Sequence, residues 1–164
     1  MPDRSLDSLS SAFLPLACAL IARVTARGFA ILVVQTSRTP EEHVANLNAG
    51  TSATPFSLHL PRRIRWQPGT PLEEADRDKA DAIDLAPYEV YDAHGPDKVS
   101  WDVTHPAFAA IGEEAERLGL RWGGRWLRPR DPGHAELVLP WTERFLAEER
   151  ARRFPVLAVD RPES

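Results

Sequence analysis

Two histidines and two aspartates in this chain stand where they could share a metal ion and a proton. His134 and Glu136 alternate with Ala135, Leu137 and Leu139 in a stretch read as a strand over 135–139. The alternation sends the apolar side chains to one face and His134 and Glu136 to the other. Immediately before it, Asp131-Pro132-Gly133-His134 has proline and glycine at the central positions of a turn, which can bring Asp131 back beside His134. Asp84 occupies the polar side of a second strand, 82–86 (AIDLA), whose Ile83 and Leu85 face the other way. His59 follows Ser57 at the end of a polar loop. Two imidazoles and a carboxylate are the protein ligands of a catalytic zinc site whose fourth position holds water. A remaining carboxylate can take a proton from that water. Taken singly, each residue has an ordinary role as well: a lone histidine is commonly a surface or core residue, and Asp-Pro-Gly is commonly only a turn.

The chain that must position these groups has 164 residues, the length of one domain with a single core. Hydrophobic residues make up 43% and charged residues 27%, which excludes wholesale disorder. Acids outnumber bases 24 to 20, which argues against a generally basic nucleic-acid binder. The single cysteine, Cys18, can form no internal disulfide and no multi-cysteine zinc site, so any metal is held by histidine and carboxylate. Fifteen prolines point to long, stiffened loops. No stretch reaches the roughly 18 apolar residues of a membrane span. The run 12–22 (AFLPLACALIA) mimics the apolar part of a signal peptide. A helix is the preferred reading, with Leu16, Leu20 and Val24 at helical spacing, Pro15 in its first turn and Gly28 at its end. On that reading nothing in the chain exports it.

Residues 29–37 (FAILVVQTS) read as a strand buried on both faces. Thr39-Pro40-Glu41-Glu42 is a capping box that opens a short helix ending at Gly50. Residues 51–81 are loop-like, with Arg62, Arg63 and Arg65 followed by Glu73, Glu74, Asp76 and Asp78. Residues 106–118 form the clearest helix, with an apolar stripe of Phe108, Ile111, Ala115 and Leu118, a Glu113–Arg117 pair at i,i+4, and Gly119 at its end. His105 reads as a first-turn residue of this helix and His94 as a loop residue. Arg121, Arg125, Arg128 and Arg130 read as a solvated basic run, or as an attraction for an anionic polymer. A final helix spans about 141–152, before a tail over 153–164. The order of elements indicates an α+β domain with a small central antiparallel sheet flanked by helices.

Ser57-x-His59, Ala82-Ile83-Asp84-Leu85 and Asp131-x-x-His134 together resemble the Ser-x-His, Ala-x-Asp and Asp/Glu-x-x-His pattern of the peptidoglycan zinc peptidases. This family contains D-Ala-D-Ala carboxypeptidases and phage L-alanyl-D-glutamate endopeptidases, and shares its fold with the hedgehog signalling domain. Ser37-Arg38-Thr39-Pro40-Glu41-Glu42 is similar to the family's Tyr-Arg-Ser-x-x-Glu-Gln segment. Leu118-Gly119 with Trp122-Gly123-Gly124-x-Trp126 is similar to its Leu-Gly-x-x-Trp-Gly-Gly-x-Trp segment. The resemblance runs from about residue 10 to 140. It implies Zn²⁺ on His59, Asp84 and His134, with Asp131 as general base. Arg38 is implied to hold a substrate carboxylate, Ser57 to be a polar neighbour of the metal, and Trp126 to line the substrate cleft.

The chain departs from the family in two places. His59 and Asp84 lie 25 positions apart, where the family sets its first histidine and aspartate much closer with a glycine between. Asp76, Asp78 and Asp81 therefore compete for the ligand role, and Asp84 is favoured because it alone sits in an alternating strand. His43 replaces the family's usual glutamine. The intervening segment 60–81 is expected either to be an inert surface loop or to form a flap over the site, anchored by Trp66 with its arginines toward substrate.

The expected activity is hydrolysis of an amide bond in peptidoglycan stem peptide, with L-Ala–D-Glu as the favoured bond. Its rivals are a D,D-carboxypeptidase and, from another class, a non-catalytic wall-binding or phage structural domain with a relic zinc site. A monomer of endolysin type, made in the cytoplasm and reaching the wall after phage-mediated release, completes the expectation.

Overall fold

A computed structural model describes residues 1–52, 57–65, 69, 71–90, 96, 98–127 and 130–141. The last expected helix, the tail, Trp66, His94 and Arg128 lie outside the described residues. Four helices, α1 (Leu14–Ala26), α2 (Pro40–Asn48), α3 (Arg62–Arg65) and α4 (Pro106–Arg117), accompany four strands, β1 (Ile31–Gln35), β2 (Ala82–Pro87), β3 (Arg121–Trp122) and β4 (His134–Glu136). The strands form one antiparallel sheet in the order β1-β2-β4-β3, so the α+β architecture expected from the sequence is the one observed.

The run 12–22 enters α1, which buries Ala17, Leu20 and Val24. Among the described residues no helix is long and apolar enough to cross a membrane. Thr39 caps α2 as the sequence indicates: its hydroxyl accepts from the Glu42 N–H while the Glu42 carboxylate accepts from the Thr39 N–H. In α4, Phe108, Ile111 and Ala115 are buried, and His105 caps the helix through Nδ1, which accepts from the Ala107 N–H. These helical side chains meet Ile83, Leu85 and Ala135 on one face of the sheet to make the core. Alternation then leaves Asp84, His134 and Glu136 on the other face.

Three local expectations change. Among the described residues β1 is an edge strand paired only with β2, and four of its five residues are half-buried rather than enclosed on both faces. β4 is shorter than 135–139 and begins at His134 itself. Arg117 pairs with Glu114 rather than Glu113, because Arg27 from α1 takes Glu113 at 2.7 Å.

The largest change concerns 60–81. Arg62 and Arg65 do not face outward as a flap; they are buried, 6% and 1% exposed, and clamp the acids that end the same segment. Arg62 reaches both oxygens of Asp81 at 2.9 Å and Asp76 at 3.1 Å, while Arg65 reaches Asp81 at 2.8 Å. Arg63 alone of the three faces solvent, where it pairs with Asp78. A guanidinium is this deeply buried only where carboxylates compensate its lost hydration. Backbone bonds from Arg62 to Lys79, Arg63 to Arg77 and Asp81 to Leu58 zip the segment's base, so its two ends leave and return side by side.

Candidate metal centre

The sheet register sets Gln35, Asp84 and His134 in one row across β1, β2 and β4. His59 arrives from the turn at 57–60, which is fastened to the end of β1 by the Arg38 N–H donating to the His59 carbonyl at 2.9 Å. His59 and His134 are buried and Asp84 is half-buried at the mouth of the site. Asp84 Oδ1 lies 3.1 Å from His59 Nε2 and 2.8 Å from His134 Nδ1, and the two nitrogens are 3.2 Å apart. Asp76, Asp78 and Asp81 are all engaged by the arginines of 62–65 and stand outside this group.

The outer ring nitrogens of both histidines are occupied. His59 Nδ1 lies 2.8 Å from the Thr36 carbonyl, and His134 Nε2 lies 2.9 Å from Glu136 Oε2. A carbonyl and a carboxylate only accept, so those nitrogens carry the protons and the inward nitrogens of the neutral rings present lone pairs. Three acceptors thus face one another, an arrangement that repels unless a cation or a proton sits among them. Tetrahedral zinc with bonds of about 2.0–2.2 Å sets its ligands roughly 3.3–3.5 Å apart, and the three separations here, 2.8–3.2 Å, are slightly shorter, so the ligands need part by only a few tenths of an ångström to admit it. The donor set fits zinc.

The charges at the site say the same. Burial opposes ionisation of Asp84, yet the imidazoles of His59 and His134 outweigh it and hold its carboxyl far below the usual carboxylate range. Burial likewise opposes the His134 imidazolium, but hydrogen bonds to Asp84 and Glu136 and their charges push it up to about 10. Without a metal the cavity therefore draws in a proton. Asp131 moves the opposite way from Asp84: burial and the negative charge of Asp84 raise its pKa, against opposition from both imidazoles and the Gly133 N–H.

The turn that carries Asp131 is built as the sequence implies, with the His134 N–H donating to the Asp131 carbonyl at 3.2 Å. Two glycines hold it against the sheet. A Cβ on Gly133 would stand 2.4 Å from the Leu85 carbonyl oxygen, and one on Gly123 would stand 2.4 Å from that of Asp131. The Trp122 indole N–H ties the same turn down through the Pro132 carbonyl at 2.8 Å.

Residues 79–137 match the family described as D-alanyl-D-alanine carboxypeptidase, a segment that contains Asp84, Asp131 and His134. The fold is similar to the crystal structure of the Serratia marcescens L-Ala D-Glu endopeptidase ChiX, with a TM-score of 0.53 and 20% identity over 84% of this chain and 89% of that one. No curated protein matches the chain. The likeness to the peptidoglycan peptidases read from the sequence is borne out. The chain is a peptidase.

Around this candidate metal site of the peptidase, Ser57 lies on the turn that delivers His59, and its hydroxyl accepts from the His59 N–H at 3.3 Å. Arg38 sits half-buried at the end of β1, its guanidinium donating through Nε and Nη2 to Gln35 Oε1, and among the described residues no carboxylate pairs with it. The Trp126 ring packs on His134, centroids 4.8 Å apart at 46°. His43 is buried in α2. Arg121, Arg125 and Arg130 are not a free basic surface; they engage Glu136, Glu116 and the Gly124 carbonyl. Sequence reasoning passed over three supports: Thr36, Gln35 and Glu136. Of these only Glu136 left a trace in the sequence, its two-residue spacing from His134 on the same face of a strand.

Proposed function

We propose that this peptidase holds one zinc ion on His59, Asp84 and His134 and hydrolyses an amide bond of peptidoglycan stem peptides, the bond being L-Ala–D-Glu in the manner of an endolysin. The observation that carries the reading is the meeting of three lone-pair atoms from three separate elements, with Asp131 on the adjoining turn. Zinc held on these residues would supply a Lewis acid for the scissile carbonyl and for the attacking water. Asp131 would receive the proton of the attacking water and pass it to the leaving amine, and burial together with the negative charge of Asp84 raises its hold on a proton. Arg38, steadied by Gln35, offers a planar guanidinium to a substrate carboxylate. Trp126 walls the cleft beside His134. Ser57 shapes the His59 turn, its hydroxyl accepting from the His59 N–H, and serves as a polar neighbour of the site rather than a nucleophile.

The Serratia endopeptidase of similar fold supports the L-Ala–D-Glu bond, and the stem peptide's D-Glu bears a free carboxylate that Arg38 could grip. The description of the matching family favours a second reading, removal of terminal D-Ala, whose substrate also ends in a carboxylate. Digestion of purified wall by the zinc-loaded protein separates the two. A new amino terminus on D-Glu supports the endopeptidase; free D-Ala supports the carboxypeptidase. Zinc-loaded protein that releases neither would overturn both.

A further inference from the structure

We infer that Glu136 is a positioning residue for the metal centre, fixing His134 in the tautomer that presents Nδ1, and that Arg121 holds the Glu136 carboxylate in place from the neighbouring strand. The inference rests on the reading of His59, Asp84 and His134 as metal ligands.

The two histidines present opposite ring nitrogens to the site. His59 offers Nε2 and anchors Nδ1 on a neutral backbone carbonyl, that of Thr36. His134 offers Nδ1 and anchors Nε2 on the carboxylate of Glu136 at 2.9 Å. An imidazole has no shape preference strong enough to choose between its nitrogens, since a half-turn of the ring exchanges Nδ1 for a carbon of nearly the same size. The choice falls to the hydrogen-bond partner of the far nitrogen. For His134 that partner is Glu136 alone among the described residues: Trp126 covers the ring, but an aromatic face at 4.8 Å does not distinguish its two orientations. Because Glu136 is anionic, it also makes the imidazole a stronger donor than the carbonyl behind His59 can.

Glu136 is itself held. It is 3% exposed and stands directly opposite Arg121 in the β3–β4 register, with the Arg121 guanidinium on its Oε1 while Oε2 serves His134. One carboxylate thus faces a cation on one oxygen and the ligand histidine on the other. Arg121 lies on an edge strand with its side chain about one-third exposed (34%), so it can be altered without opening the core.

The test is zinc affinity, measured by competition with a chromophoric chelator, and the visible spectrum of the cobalt-substituted protein. Wild type is compared with Glu136→Gln, which keeps the size and an acceptor oxygen but removes the charge, and with Arg121→Met. The expected result for Glu136→Gln is a zinc Kd weaker by roughly 10–100-fold, the usual cost of losing such a partner. Its cobalt bands should shift, and its metal-free far-ultraviolet spectrum should match wild type. Arg121→Met should weaken zinc in the same direction by a smaller factor. Folded Glu136→Gln protein with wild-type zinc affinity and cobalt bands overturns the inference. Should that variant not fold, Arg121→Met decides, and unchanged affinity there overturns it equally. Wild-type protein that binds no zinc removes the ligand assignment itself, and this inference with it.

Discussion

Replacing Asp81 by Asn should destabilise the protein more than any other single substitution of a charged residue outside the metal centre. Asp81 has no solvent exposure and accepts from Arg62 through Nε and Nη2, from Arg65 through Nη2 and from the Ser10 hydroxyl. Arg62 keeps Asp76 at 3.1 Å if Asp81 loses its charge, but among the described residues Arg65 keeps no carboxylate hydrogen bond, only the Leu60 carbonyl and the Trp141 ring at 5.8 Å. Asn retains the volume and one acceptor oxygen, so the change isolates the charge. Breaking a buried ion pair from one side costs about 3–5 kcal/mol. For a chain of this size each kcal/mol lowers the melting temperature by roughly 2–4 °C, so the fall should be roughly 6–20 °C. The assay is a thermal melt followed by circular dichroism on chelator-treated protein, so that metal binding does not contribute. The pH dependence has a definite sign. Burial raises the Asp81 pKa, but Arg62, Arg65 and Ser10 together depress it below its ordinary value. Its contribution is therefore fully present above the unfolded carboxylate value of about 3.9 and is lost as pH falls through the folded one. The gap between wild type and variant should be constant at neutral pH and close in acid. Adding Arg65→Met to the variant should restore part of the loss, since it removes the cation left without its carboxylate. A variant melting within about 2 °C of wild type, or a gap that widens in acid, would refute the reasoning.

Other consequences can be checked directly. His134→Ala protein should lose stoichiometric zinc by elemental analysis, and stripping zinc from wild type should lower its melting temperature, because ligands from three elements are tied together only in the bound state. Asp131→Asn should keep its zinc while wall hydrolysis falls by roughly 10²–10⁴-fold; loss of metal instead would make Asp131 a ligand. Gly133→Ala would set a methyl 2.4 Å from the Leu85 carbonyl oxygen, so a destabilisation of about 1–3 kcal/mol is expected, visible in a denaturant melt. Excising residues 61–80 removes Arg62 and Arg65 from buried Asp81, so the shortened chain should lose its cooperative melt; a shortened protein that still melts like wild type would restore the view of this segment as an inert loop.

How far the sequence could be read follows from the range of the interactions involved. α1, α2, α4 and β2 were legible because their evidence is local: apolar spacing at Leu16, Leu20 and Val24, the Thr39–Glu42 capping box, the stripe through Phe108, Ile111 and Ala115, and the alternation around Asp84. The residue types of the metal centre were legible for a related reason, since the ligand chemistry demands histidine and carboxylate and the short motifs around them are contiguous. What the residues meet across the fold was not. Whether Arg62 and Arg65 point to substrate or into the protein depends on acids 14 to 19 positions away and on Ser10 more than fifty away, and periodicity carries no information about such partners. The same holds for the meeting of Asp84 with His134 and His59, which the β2–β4 register and the 57–60 turn bring about. It holds for the edge position of β1, for Arg27 displacing Arg117 from Glu113, and for the opposite tautomers of His59 and His134. An amino-acid pattern determines which face a side chain takes along its own element; only packing decides which charge, carbonyl or neighbouring strand that face will meet.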